Sequence, residues 1–192
     1  LYGAVGLGEK ILHTAHEVKT AQKHFKRLQW FFGDRAGDPN ARFPALNDLV
    51  EQIRRVNGQE GVFLKNGGSI ELSARSKNSG RGFTVDVLVM DEAQELDDDA
   101  LEALNSTVSA APLGDPQKIM TGTPPGPNAS GDVFLRTRRN ALLNQPKRTS
   151  WLEWSVDDGA VDLDDRAMWR RVNPAMQSGR LLEAVVESER ST

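Results

Sequence analysis

The stretch VLVMDEAQ, residues 87–94, decides the fold class of this 192-residue chain. Residues 87–90 belong to the run VDVLVM, 85–90, which is mostly apolar and β-branched. Such a run is typical of a strand covered on both faces of a parallel sheet. Asp86 is the exception, near the start of that run. Asp91 and Glu92 follow side by side where the strand ends, and ligands of open α/β sheets bind at that edge. The stretch therefore predicts a buried strand that presents two acidic site residues.

The surrounding sequence predicts an alternation of strands and helices. Residues 10–14 (KILHT) read as a strand that leads directly into a helix. Asp97 is placed to cap a later helix, with Leu96 and Leu101 forming a hydrophobic staple, and residues 118–122 (KIMTG) form the next strand. Strand, helix and strand in that order indicate a βαβ unit. We therefore predict an α/β fold with a mainly parallel sheet flanked by helices.

Further elements are predicted upstream of this unit. Thr14 and Glu17 match the capping box that begins a helix. The apolar face of that helix consists of Val18, Ala21, Phe25, Leu28 and Phe32. A second helix is expected over residues 44–56, from the spacing of its apolar side chains. GVFLK and SIELSAR, joined by NGG, predict a β-hairpin before the acidic strand.

Composition limits the classes of protein that are possible. The chain has no cysteine, which excludes disulfides and thiolate metal sites, and its net charge is -3. No apolar run approaches the ~20 residues of a membrane-spanning helix. We expect one soluble domain inside the cell, and the overall charge does not indicate a broad nucleic-acid-binding surface.

Asp91 and Glu92 indicate phosphate chemistry. Two adjacent carboxylates repel each other unless a cation or a reacting water uses them. We predict that Asp91 holds Mg²⁺ and that Glu92 deprotonates the water that attacks the γ-phosphate of ATP, as in a Walker B strand with a catalytic glutamate. The alternative is that both residues only begin a turn and interact with the next helix.

Residues 121–125 (TGTPP) end the following strand and should lie beside Asp91. A threonine there, Thr121 or Thr123, is predicted to sense the γ-phosphate or the attacking water. The alternative is a strand that is simply ended by glycine and proline.

The opening residues GAVGLGEK, 3–10, imitate a phosphate-binding loop without matching it. The loop G-x-x-x-x-G-K-[ST] needs a lysine and a hydroxyl before a helix, whereas Glu9 and Lys10 occupy those places before a strand. We predict instead that Gly6 or Gly8 ends a helix. No other stretch offers GK[ST], so either the phosphate loop precedes Leu1 or the protein is not a working ATPase.

VLVMDEAQ and TGTPP together resemble the large terminase subunit of tailed phages. ILHTAHEVKTAQ, GGSIELSARSKNSGRGFTVD and WRRVNPAM resemble further segments of the same family, so that the likeness covers most of the chain. The resemblance implies a P-loop ATPase of the additional-strand, catalytic-glutamate type that packages double-stranded DNA. ATP and Mg²⁺ are the implied cofactors, and the host bacterial cytoplasm is the implied location.

The resemblance also implies partner proteins and an arginine that acts on a neighbouring subunit. The implied assembly is a homo-oligomeric ring on the capsid portal protein, working with a small terminase subunit. Arg81, in SGRG, matches the place where some terminases carry an arginine that reaches a neighbouring subunit's ATP, and Arg75 is the competing candidate. Residues 1–150 are expected to form the ATPase core without its phosphate loop, and 151–192 its end, leading toward a nuclease domain that this chain lacks.

Two other functions stay open. DEAQ would also suit a helicase of the DEAD/DEAH kind, but such a helicase predicts a Ser-Ala-Thr-like segment at the next strand, where this chain has TGTPP. A non-catalytic prophage remnant or binding module would keep the fold without the phosphate loop. The presence of both Asp91 and Glu92 argues against long decay.

Overall fold

A computed structural model of the chain describes residues 1–75, 82–126, 129–156, 159 and 162–190. Arg81 lies outside this part. The chain divides into two compact units, Leu1–Arg139 and Asn140–Thr192. Among the described residues, no helix combines the length and the apolar character needed to cross a membrane.

The first unit contains a six-stranded sheet with helices on both faces. The strands are β1 (Lys10–Ala15), β2 (Val50–Arg54), β3 (Gly61–Leu64), β4 (Ser69–Ala74), β5 (Val87–Met90) and β6 (Gln117–Met120). The helices are α1 (Val18–Phe32), α2 (Pro44–Asn47), α3 (Asp98–Asn105) and α4 (Asp132–Asn144), the last of which continues into the second unit.

The strand order is β2-β3-β4-β1-β5-β6. β1 pairs in parallel with both β4 and β5, and β5 pairs in parallel with β6. β2 and β3 are antiparallel additions at one edge. The predicted α/β class, the mainly parallel sheet and the hairpin before β5 are confirmed. The carboxyl ends of β1, β5 and β6 consequently lie next to one another.

Two apolar cores form, one on each face of the sheet. Side chains alternate along a strand, so Leu12 and Leu88 face α3 while Ile11 and Val87 face the other way. The first core joins α1 to β3 and β4, and the second joins α3 to β1 and β5. Asp97 caps α3 as predicted, because its side chain accepts a hydrogen bond from the backbone N–H of Ala100 at 2.7 Å.

Asp86, the polar exception in the apolar run, joins two parts of the fold. It is 1% exposed, and its Oδ2 accepts from the N–H of Lys10 at 2.9 Å while its Oδ1 accepts from the N–H of Leu113 at 2.7 Å. The carboxylate therefore connects the start of β1 to the turn before β6.

The predicted helix over residues 44–56 is wrong. The helix α2 ends at Asn47, and the chain then forms the edge strand β2, which pairs with β3. Val50 is buried by this pairing, whereas Leu49 and Val56 are exposed, so the apolar spacing did not mark one helical face. Tertiary strand pairing overrode a local pattern that suits either structure.

The predicted capping box is also wrong. Thr14 lies within β1 and its hydroxyl donates to the carbonyl of Val89. The N-cap position of α1 is Glu17, with no side-chain cap. The predicted passage from strand to helix is nevertheless confirmed.

Gly3–Leu7 forms a single π-helical turn. This agrees with the prediction that a glycine here ends a helix and that the stretch is not a phosphate-binding loop. Gly8 ends this turn in the left-handed region, with φ of 73°. Close packing explains a second glycine, since a Cβ at Gly68 would lie 2.4 Å from the carbonyl oxygen of Ala4.

Beside the end of α4, the described part of the second unit contains the short helices α5 (Arg166–Val172), α6 (Pro174–Gln177) and α7 (Glu183–Arg190). Asp165 caps α5 by accepting from the N–H of Ala167. Trp169 is buried, and its indole N–H donates to the carbonyl of Leu163 at 2.8 Å. Asp165 and Trp169 therefore fix the start of α5 against the residues before it.

Candidate functional site

A cleft of about 780 Å³ lies in the first unit, over the sheet face beside α1. Its floor consists of apolar residues of β1, β4, β5 and β6, and its walls include α1 and the N-terminal turn. The polar groups at one end are His13, His24, Asp91 and Thr121. The cleft thus combines an apolar floor with polar groups at the carboxyl edge of the strands, as ligand sites in α/β sheets commonly do.

Asp91 is held by contacts to both neighbouring strands. Its backbone N–H donates to the carbonyl of Thr14, at the end of β1, at 3.0 Å. Its Oδ1 accepts from the hydroxyl of Thr121 at 2.6 Å and from the N–H of Glu92 at 3.0 Å. The predicted adjacency of VLVMDEAQ and TGTPP is therefore confirmed, although the roles of these residues stay predictions.

These contacts set the charge of Asp91. Burial alone would raise the pKa of its carboxyl group. The hydrogen bonds from Thr121 and Glu92, together with the electrostatic influence of His13 and His24, outweigh burial, so that the pKa lies below its ordinary value. Asp91 is consequently a carboxylate at neutral pH.

Glu92 adopts a backbone conformation that is unusual for its residue type. Its φ of 53° and ψ of 49° place it in the left-handed region. A short 3₁₀ turn, Ala93–Glu95, follows directly, and the N–H of Ala93 donates to the carbonyl of Thr121 at 2.8 Å. Tertiary contacts therefore hold Glu92 at the strand end in a conformation that its own sequence does not favour.

Arg75 supplies much of that support. Its guanidinium donates from Nη1 to the carbonyl of Asp91 and from Nη2 to the carbonyl of Glu92, the latter at 2.8 Å. A weaker contact of 3.4 Å joins Nη1 to the carbonyl of Thr14. Burial lowers the pKa of Arg75, and the carboxylates of Glu92 and Asp91 oppose that shift. With both terminal nitrogens bound to its own chain, Arg75 does not suit the role of an arginine that reaches a neighbour.

Two histidines face Asp91. The Nε2 of His24, on α1, lies 3.6 Å from Oδ2 of Asp91, and the rings of His13 and His24 meet edge to face at 4.6 Å. Burial, assisted by the positive charges of His24 and Arg75, lowers the pKa of His13 to about 4, while Asp91 opposes the shift. His13 is therefore neutral at pH 7.

Thr123 is positioned through its backbone. Its N–H donates to Oε1 of Gln94 at 3.2 Å, which ties TGTPP to the turn after Glu92. No added side chain would fit easily at Gly122, because a Cβ there would lie 2.7 Å from the same Oε1. The fourth residue of DEAQ thus connects the two motifs.

The structure brings together Asp91, Glu92 and Thr121, places Thr123 beside them through Gln94, and does not describe Arg81. Sequence reasoning missed the contributions of Arg75, Gln94, His13 and His24. A signal for His13 was present, since a histidine in the middle of a buried strand needs a polar neighbour. His24 lies one turn before Leu28 of the apolar face, but nothing local indicated its contact with Asp91.

The chain is similar in structure to the HK97 bacteriophage large terminase, with a TM-score of 0.70 and 17% sequence identity, over 94% of this chain and 39% of that chain. The large terminase of a thermophilic bacteriophage aligns in two crystal forms, one of them in complex with ADP. Their TM-scores are 0.37 and 0.35, with 13% and 12% identity, over 58% of this chain and 25% and 26% of those chains. These two TM-scores are too low to support an argument. No protein-family model matches the sequence, and no curated protein matches it.

The similarity to the HK97 terminase establishes the fold of this chain. The resemblance predicted from VLVMDEAQ and TGTPP is confirmed at that level. The chain spans 39% of the length of the HK97 protein, so the activity of a complete terminase is not established by the comparison.

Proposed function

We propose that this chain is part of an ATP-hydrolysing motor that moves double-stranded viral DNA, of the large-terminase type. The observation that carries the proposal is the hydrogen bond from Thr121 to Asp91 beside Glu92, on a fold shared with the HK97 terminase. This arrangement supplies a fixed carboxylate, a hydroxyl and a second acidic residue at one edge of the sheet. Phosphoryl transfer needs such positioned groups.

Asp91 and Thr121 are suitable for Mg²⁺, because both offer the oxygen ligands that this ion prefers. Asp91 would hold the ion, usually through its water ligands. When bound, Mg²⁺ supplies positive charge that offsets the charge of the phosphate oxygens.

Glu92 is proposed to orient the attacking water and accept its proton. Arg75 holds the backbone of Glu92 in place, and Thr121 and Thr123 are proposed to respond to the γ-phosphate. The phosphate-binding lysine is expected from residues outside this sequence, since Gly3–Leu7 forms a π-helical turn, Lys10 begins β1 and GK[ST] does not occur.

The wider context is part of the same proposal. The chain would act within a homo-oligomeric ring, with the portal protein and a small terminase subunit as partners and double-stranded DNA as the substrate that is moved. Arg81 is proposed to reach a neighbouring subunit's nucleotide. The host bacterial cytoplasm is the proposed location.

The test is Glu92→Gln in the full-length protein. Glutamine keeps the size of the side chain but cannot accept a proton, so ATP hydrolysis should fall by roughly 10²–10⁴-fold while Mg-ATP binding is nearly unchanged. Hydrolysis is measured by phosphate release and binding by calorimetry. The matched control is Glu95→Gln, an exposed residue one turn later, which should hydrolyse ATP at the wild-type rate.

Equal loss of binding and hydrolysis in Glu92→Gln would contradict the assigned role.

In a second experiment, the 192-residue chain is assayed beside a version extended upstream by roughly 50 residues of its reading frame, enough for a strand, a loop and a helix. Hydrolysis only in the extended version would locate the phosphate loop there. Inactivity of the full-length assembled protein would favour the non-catalytic alternative.

A further inference from the structure

Three side chains from separate elements converge at the polar end of the cleft. His13 comes from β1, His24 from α1 and Asp91 from the end of β5, and each offers one ligand atom within 4.8 Å of the others. From this geometry we infer that His13, His24 and Asp91 form a binding site for a divalent transition metal ion of the Zn²⁺ class.

The donor atoms favour such an ion over Mg²⁺. Imidazole nitrogens suit Zn²⁺, Co²⁺ and Ni²⁺, whereas Mg²⁺ and Ca²⁺ prefer sites made of oxygen atoms. Two histidines and one carboxylate form a set of three protein ligands that is known for zinc, with water completing the coordination. Mg²⁺ at this site would use oxygen atoms of Asp91 and Thr121 and leave both imidazoles uncoordinated.

The contacts around Asp91 prepare it for this role. Thr121 and the N–H of Glu92 both donate to Oδ1, which leaves Oδ2 facing His24. Partners of this kind commonly orient the ligands of a metal ion. The Nδ1 atoms of His13 and His24 are buried and have no hydrogen-bond partner among the described residues, and His24 would bind the ion through Nε2, the nitrogen that faces Asp91.

The distances require only a small adjustment. Zinc bonds of roughly 2.0–2.2 Å place neighbouring ligand atoms of a tetrahedral ion about 3.3–3.6 Å apart. The 3.6 Å between His24 Nε2 and Asp91 Oδ2 already agrees with this spacing. The remaining separations, up to 4.8 Å, close by about 1 Å through side-chain rotation. The cleft leaves space for water ligands.

A consequence follows for the proposed ATPase, and it depends on that proposed function. The same Asp91 would serve Mg²⁺ and the transition metal ion, so that the two ions exclude each other. Micromolar Zn²⁺ would then inhibit hydrolysis in the wild-type protein and inhibit it less in a His24→Gln variant.

The binding test uses the 192-residue chain without nucleotide. Co²⁺ is the probe, because its visible absorption reports the coordination geometry, and Zn²⁺ should displace it. We expect one Co²⁺ per chain. His24→Gln and Asp91→Asn should each weaken Co²⁺ binding by at least about tenfold, because the loss of a group that only supports a metal ligand already has an effect of this size. His16→Gln, which changes the third, exposed histidine, should bind Co²⁺ like the wild type.

Thermal unfolding provides a second readout. Zn²⁺ should raise the melting temperature of the wild type and of His16→Gln, but not of His24→Gln, because an ion that binds only the folded state stabilises it. Wild-type chain that binds no Co²⁺, or Co²⁺ binding that depends on His16 rather than His24, would overturn the inference. Since the test involves no hydrolysis, its failure is distinguishable from failure of the proposed ATPase.

Discussion

At the scale of single residues, the site depends on how Asp91 and Glu92 are held. A left-handed backbone costs an ordinary L-residue about 1–2 kcal/mol. The hydrogen bonds from Arg75 to the carbonyls of Asp91 and Glu92 offset that cost, and they bring a partly buried positive charge close to two carboxylates. The strain at Glu92 is therefore maintained by the fold, as is common at functional sites.

The lowered pKa of His13 predicts how the stability of the fold depends on pH. Its folded-state pKa of about 4 lies below the ordinary 6.5, so that between these values the unfolded chain binds a proton that the folded chain does not. Stability should therefore fall as the pH drops from about 6.5 to 4, by roughly 3 kcal/mol in total. The charged groups that face His13 are His24, Asp91 and Arg75.

The measurement is urea unfolding across this pH range in buffer that contains a metal chelator. His13→Gln should remove most of the slope between pH 6.5 and 4, because glutamine does not titrate. His16→Gln, at an exposed position, should keep it. A slope that survives in His13→Gln would show that another group causes the acid sensitivity.

At the scale of secondary structure, β5 is the element around which the site is arranged. It is buried by α3 on one face, and it pairs with β1 and β6. The carboxylate of Asp86 joins the beginnings of these strands, while Asp91 and Thr121 meet at their other ends. Contacts at both ends of β5 therefore fix its alignment with β1 and β6.

Asp86→Asn tests the structural importance of this connection. The amide replaces one accepting oxygen with a donor, so one of the N–H groups of Lys10 and Leu113 loses its acceptor in a buried position. We expect a loss of roughly 2–3 kcal/mol in the free energy of unfolding, measured by urea titration. Glu102→Gln, an exposed acidic residue on α3, should change it by less than about 0.5 kcal/mol. A neutral Asp86→Asn would mean that the connection contributes little.

Element prediction succeeded where local sequence and tertiary context agree. β5, α3 and its Asp97 cap, and the hairpin of β3 and β4 were all evident from apolar runs, a capping residue and a glycine turn. β2 was not, because the short segment around Val50 fits a helix or a strand equally well. Pairing with β3 decided its structure.

At the scale of the whole molecule, the proposed motor depends on a phosphate-binding loop and on neighbouring subunits. The two compact units are Leu1–Arg139 and Asn140–Thr192. The expected boundary near residue 150, between the ATPase core and its end, stays a proposal. So does assembly into a ring, in which an arginine would complete a neighbour's site.

Arg75 and Arg81 should behave differently when each is changed to alanine. Arg75→Ala leaves partly buried carbonyls without their charged donor, so we expect a loss of roughly 2–3 kcal/mol in the free energy of unfolding of the 192-residue chain. In the full-length protein, Arg81→Ala should reduce hydrolysis by ~10³–10⁵-fold in the assembled ring only.

Stability is measured by urea titration, and hydrolysis as a function of protein concentration. Wild-type stability of Arg75→Ala would contradict its anchoring role. A hydrolysis defect in Arg81→Ala that is equally large in dilute monomer would rule out action on a neighbouring subunit.

The sequence by itself determined the fold class, the acidic strand end and the pairing of DEAQ with TGTPP. These features depend on apolar periodicity and on the rule that parallel strands present their carboxyl ends at one edge. Only the tertiary structure decided that Arg75 supports Glu92 and that His13 and His24 face Asp91. These contacts join residues that are 17, 78 and 67 positions apart, and no local pattern encodes such distances. The packing of α1 against β1 and β4, and the pairing of β1 with both β4 and β5, create them.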